Sequence, residues 1–186
     1  MSELTPFQIA DLLNRPGPLW LAGLDLSGAL LLGINLSGAN LQRIVLANAL
    51  LSNAQLHGAN LNRANLTKAV LSDADLSLCD LAHANLNGAA LSNAKLLGVD
   101  LSDATLVDAD LRRVNFNTSS LRRANMRGAN LQFAALVGVN LSEADLREAD
   151  LTGADLTMAD LTRANLRGAT LADAILENTE MVDVIN

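Results

Sequence analysis

Few residues in this chain are of a type that does chemistry. Asp145, Asp150, Asp155 and Asp160 recur at intervals of five, and Asp80 and Asp100 stand twenty apart. Gathered carboxylates are what a calcium ion requires, since it takes about six to eight oxygen ligands. A close carboxylate pair can also divide general-acid and general-base roles. Cys79 is the single cysteine, and His57 and His83 are the two histidines. One thiol and two imidazoles fall short of a zinc site made of His and Cys, and one cysteine excludes an intramolecular disulfide framework. The glycines punctuate the chain and form no phosphate-binding loop.

What these groups can do depends on the elements that carry them. The chain has 186 residues, one domain's worth. Half of it is hydrophobic but only 2% is aromatic, so its core must be assembled from many small, similar pieces. Three prolines and a formal charge of −7 fit an ordered, mildly acidic protein. Met1–Leu13 has no basic start and no long apolar run, so no signal peptide is expected. No run of about 18 apolar residues predicts a membrane-spanning helix, and the cytoplasm is the expected location.

One period dominates the sequence. Stepping by five from Leu21 to Met181 gives thirty-three positions, of which thirty are Leu; the others are Phe116, Met126 and Met181. Two residues before each centre stands an apolar residue, nearly always Ala, and between them stands Asn or Asp. In a helix, five residues turn the chain by about 500°, which spirals the leucines around the axis. In a continuous strand the Ala row would change faces at each step. Both rows stay inside only if the chain runs three extended residues, turns, and repeats. Gly occupies the last turn position at 23, 28, 33, 38, 58, 88, 98, 128, 138, 153 and 168, where a type II turn needs positive φ.

Ala39-Asn40-Leu41, Ala59-Asn60-Leu61 and Ala154-Asp155-Leu156-Thr157 resemble the A(D/N)LXX motif of the pentapeptide repeat family. The resemblance covers roughly residues 19–184. It implies an all-β fold, a right-handed quadrilateral parallel β-helix (β-solenoid) with four repeats per coil, about eight coils and roughly 40 Å long. Each buried Leu contributes on the order of 2 kcal/mol, and no single coil can bury its own core, because stacking supplies the cover. Residues 1–18 are expected to form an N-terminal capping helix and linker, and residues 19–186 the solenoid. The helix is read from the capping box Thr5-Pro6-Phe7-Gln8 and the apolar run to Leu13, stopped by Arg15-Pro16-Gly17-Pro18.

With four repeats per coil, residues twenty apart stack on one face. One face then carries Arg43, Arg63, His83, Asp103, Arg123, Glu143, Arg163 and Asp183, alternating in sign from Asp103 onward, as favourable cross-strand pairs do. A second carries Leu30, Leu50, Val70 and Ala90 where Asn or Asp is usual, with Leu32 beside them. Such an outward apolar ladder suggests a docking surface. Charge is banded: residues 1–110 carry −5, residues 111–127 carry +5 from Arg112, Arg113, Arg122, Arg123 and Arg127, and residues 128–186 carry −7. The Arg band surrounds the least regular repeat, Phe116-Asn117-Thr118-Ser119-Ser120, and is a second candidate contact site.

The solenoid also settles the first question. Asp145, Asp150, Asp155 and Asp160 fall one per side and point apart, so they cannot share a calcium ion. His57 and His83 sit on different sides and cannot share a metal. Cys79 holds an inward Ala position. The expectation is therefore no enzyme, no cofactor, no metal and no nucleic-acid or membrane binding. A rigid scaffold for an unidentified protein partner remains as the main reading. The alternative is the DNA mimicry of some family members, which bind DNA gyrase and protect it from quinolones; the Leu-rich centres, the lack of projecting loops and the Arg band depart from it. Plain members of the family are abundant in bacteria, cyanobacteria especially. The final coil, with Met181, Val182, Val184 and Ile185, suggests a homodimer joined end to end.

Overall fold

A computed structural model describes residues 19–186. The capping helix expected within residues 1–18 lies outside the described residues. From Trp20–Asn40 to Asn165–Ile185, parallel bridges join residues twenty apart without exception. The constant offset defines four ladders, one per side. The first side begins at Trp20, the second at Asp25, the third at Leu30 and the fourth at Asn35.

Each repeat solves the same hydrogen-bonding problem. Taking the repeat around Leu61, the amide of Asn60 donates to Ala39 O in the preceding coil, at 2.9 Å. Leu61 N and Arg63 N donate to Asp80 O and Ala82 O in the next, at 2.7 and 3.0 Å. Ala64 N closes the turn on Leu61 O at 2.9 Å. One amide, Asn62 N, remains, and the side chain of Asn60 accepts it at 3.0 Å. This last bond explains the Asn and Asp before each centre, since a backbone donor left without a partner is costly. The residue is neither buried nor fully outward but half-buried at most positions, its Oδ1 turned back onto the turn.

Every turn places its last residue in the left-handed region, with φ between 53° and 71° from Gly23 to Asp183. Gly does this at no steric cost, but two-thirds of these residues are not Gly, and those other than Asn and Asp each carry a penalty of about 1–2 kcal/mol. Thr118, β-branched with φ of 60°, is among the least suited. Thr118→Gly is expected to stabilise the rod by about 1 kcal/mol. A urea midpoint that does not rise would contradict the strain.

The inward rows form one continuous core. The centres from Leu21 to Leu166 and the inward row from Ala39 to Ala164 are buried, while Leu24, Ala29 and Ile34 in the first coil are partly buried. The core opens over the last coil, where Leu176, Met181, Val182 and Ile185 are exposed and Val184 is partly buried.

Candidate interaction surface

The aspartate ring is structural. Asp145, Asp150, Asp155 and Asp160 lie on the second, third, fourth and first sides, and each accepts the backbone amide two residues on, from Arg147, Thr152, Thr157 and Thr162 at 2.8–3.2 Å. Among the described residues no group of His, Cys, Asp and Glu is arranged to hold a metal ion. Asp80 spends its carboxylate on Ala82 N and on the Asn62 amide. Asp100 accepts Ser102 N at 2.9 Å. Cys79 is buried in the core, its Sγ donating to Leu56 O at 2.9 Å, and burial pushes its thiol up to about 12. A thiol held protonated is no nucleophile.

The third-side ladder aligns as four repeats per coil requires: Leu30 bridges Leu50, Leu50 bridges Val70, and Val70 bridges Ala90. Leu30 is 77% and Leu32 64% exposed, while Leu50 and Val70 are half-buried. None of these four repeats has a side chain that can accept the amide two residues on, so Leu32, Ser52, Ser72 and Ser92 lack the turn bond found in most repeats. Giving up a bond worth about 0.5–1.5 kcal/mol in four successive coils sets this ladder apart; the fourth side also lacks it at Gln55, Lys95, Ala135 and Ile175, but only in alternate coils, between Asn35, Asp75, Asn115 and Asp155 that make it.

The Arg band is a sequence feature that folding largely neutralises. Arg123 binds Asp103 through two bonds of 2.6 Å. Arg122 takes Glu143 at 2.7 Å, Arg112 takes Asp110 at 2.6 Å, and Arg127 takes Glu148 at 3.0 Å. The guanidinium of Arg113 stands 5.8 Å from the centroid of the Phe133 ring. The hydrogen bond from Arg123 holds Asp103 below the usual carboxylate range, and that from Arg122 does the same for Glu143. The alternating ladder is thus realised at Arg123–Asp103 and loosely at Arg163–Asp183, at 3.8 Å, but Glu143 turns to Arg122 instead.

Ser119, where the pattern bends, is likewise absorbed internally. It is buried, donates to Leu96 O at 2.7 Å and accepts Val99 N at 3.1 Å. No sequence rule pointed to that pairing, because both partners lie about one coil away.

Four ladders of bridges around an apolar core, with side chains held at fixed intervals on every side, define a β-solenoid of short repeats. The model of pentapeptide repeats matches residues 44–81, 84–123, 106–143, 124–163 and 144–181, and the chain belongs to that family. It is 33% identical to HetL, a pentapeptide repeat protein involved in heterocyst differentiation regulation in the cyanobacterium Nostoc sp. strain PCC 7120. That match covers 88% of this chain and 85% of that one, with a TM-score of 0.46. Full-length QnrB1, a plasmid-mediated fluoroquinolone resistance protein, is 18% identical over 87% of this chain and 91% of that one. Its TM-score of 0.70 shows a shared fold. A further pentapeptide repeat protein from Nostoc, alr5209, is 28% identical over 57% of this chain and 84% of that one, with a TM-score of 0.44. No curated protein sequence matches the chain.

Proposed function

We propose that this protein is a non-enzymatic, rigid scaffold of the cytoplasm that presents its side-chain ladders to a protein partner. The observation that carries this reading is the run Leu30, Leu50, Val70 and Ala90, where four successive coils of one side forgo the turn hydrogen bond and carry apolar residues outward. The backbone beneath is hydrogen-bonded to both neighbouring coils, so the ladder is presented in one conformation and little entropy is lost on binding. Mimicry of DNA is less well supported. It needs a continuous negative field, and the middle of this rod instead carries arginine–carboxylate pairs with Arg113 beside them.

Leu50→Asn tests the proposal. Asn restores the repeat's usual residue and supplies an acceptor for Ser52 N, so the melting temperature is expected to hold or rise. Capture of the partner from native extract is expected to fall. A variant that captures as well as the wild type removes this ladder from the function. A fall in melting temperature of several degrees shows that Leu50 serves packing instead.

A further inference from the structure

The fourth side carries a second apolar feature, and its members come from two different repeat positions. Leu78 and Met158 occupy the last turn position, whereas Leu97 and Val137 occupy the one before it. Leu78 and Met158 are 59% and 65% exposed, Leu97 is exposed and Val137 half-buried. Where the last position is large and apolar its neighbour is polar (Ser77, Thr157), where it is Gly98 or Gly138 the neighbour is Leu97 or Val137, and the coil between these two pairs carries the polar Asn117 and Thr118. The result is a ridge of two apolar pairs, Leu78 with Leu97 and Val137 with Met158, along the edge between the fourth and first sides, one polar coil apart. From Leu78 to Met158 it spans four coils, about 19 Å.

The chain accepts strain to build this ridge. Leu78 and Met158 hold φ of 59° and 58°, where Gly58, Gly98 and Gly138 stand in the alternate coils. Leu78 lies over Gly98, with its Cδ2 3.0 Å from where a Cβ on that glycine would stand, while the same place at Gly138 is open. Large apolar side chains held outward in a disfavoured backbone conformation point to function rather than folding.

The flanks define the partner's chemistry. Asp75 and Asp155 lie on the fourth side of the ridge, and Asp80, Asp100 and Asp160 on the first. Unlike the carboxylates of the Arg band, none of these five enters an ion pair among the described residues. Lys95 is the one base in the two flanking rows. An apolar ridge between acidic rows complements a segment with an apolar stripe and basic flanks. An extended strand is a poor occupant, because the ladders already use the rod's lateral backbone groups and the strand's own would be left unpaired. A helix satisfies its backbone internally and offers a stripe that repeats every seven residues, about 10.5 Å, close to the roughly 9.6 Å of two coils.

We propose that the ridge of Leu78, Leu97, Val137 and Met158 is a docking edge for a basic amphipathic helix of a partner protein. The proposal rests on the reading of the rod as a scaffold, and it places a contact on a different side from Leu50. The probe is a fluorescent synthetic helix of Leu and Lys with leucines at heptad spacing, titrated against the full chain by anisotropy. Its control is a peptide of the same composition permuted to abolish the apolar stripe. Leu78→Gly with Met158→Gly leaves the charge unchanged and removes two strained residues, so its melting temperature should hold or rise. Affinity for the amphipathic peptide should fall at least about tenfold, while the permuted peptide binds both proteins weakly and alike. Leu78→Asn with Met158→Asn is the second variant, since Asn holds the same turn position at 48, 53, 93 and 178. No binding to the wild type, equal binding to the variants, or equal binding of the permuted peptide would overturn the proposal. Partner capture from extract separates it from the broader reading. If the double variant captures as wild type while Leu50→Asn does not, the helix edge is refuted and the scaffold stands.

Discussion

Phe116→Ala is expected to lower the stability of the rod by about 4 kcal/mol, the largest effect of any single truncation in the core. Phe116 is the one aromatic centre and is 0% exposed. The coils above and below it are held by bonds such as Phe116 N to Ala135 O at 2.8 Å and Leu96 N to Asn115 O at 2.8 Å. Two stacked ladders cannot close on a cavity without breaking those bonds, so the void persists and its cost is near the upper range. Phe116→Leu restores the residue found at thirty other centres and should cost less than about 1.5 kcal/mol. Urea unfolding followed by circular dichroism measures both. Equal losses in the two variants would show that the site collapses and that the ladders do not hold it open.

Cys79 is expected to be nearly inert in the native rod. Its Sγ is buried and bonded to Leu56 O. Desolvation pushes its thiol up to about 12 from an ordinary 9.0, so at pH 8 the reactive thiolate is scarce. Labelling by an aromatic disulfide should be slower than in urea by at least about 10³-fold. A native rate near that of a free thiol would place Cys79 outside the core. The same shift has a pH consequence. The folded state holds the proton more tightly than the unfolded chain, so the contribution is present below about 9 and is lost as pH rises toward about 12. Cys79→Ala, the residue usual at this position, should flatten that alkaline loss.

Both predictions concern the inside of the rod, and the inside is what the sequence makes legible. Leu at the centre, Ala two residues before it and Gly at the end of the turn each answer a local requirement: fill the core, let the chain approach it closely, reverse the chain with positive φ. Because every repeat meets the same requirements, thirty-three copies reinforce one reading, and the twenty-residue stacking of Leu30, Leu50 and Val70 followed from the resemblance to the family. The surface depends on contacts between coils. Arg122 and Arg123 are neighbours in sequence, yet one reaches Glu143 in the next coil and the other Asp103 in the previous one. The band of positive charge between residues 111 and 127 is real along the chain and largely neutralised in space. The ridge from Leu78 to Met158 escaped the repeat register because its members hold two different positions within it, which only the corner of the solenoid brings into line. The amide accepted by each Asn or Asp could not be assigned until the ladder bonds had claimed the others. The amino-acid sequence by itself determined the period, the core and the turn positions, because these are set within five residues. Only the tertiary structure decided which charges pair and which apolar side chains share an edge, because a long side chain can take a partner in its own repeat, as Arg112 takes Asp110, or one about twenty residues away in either neighbouring coil.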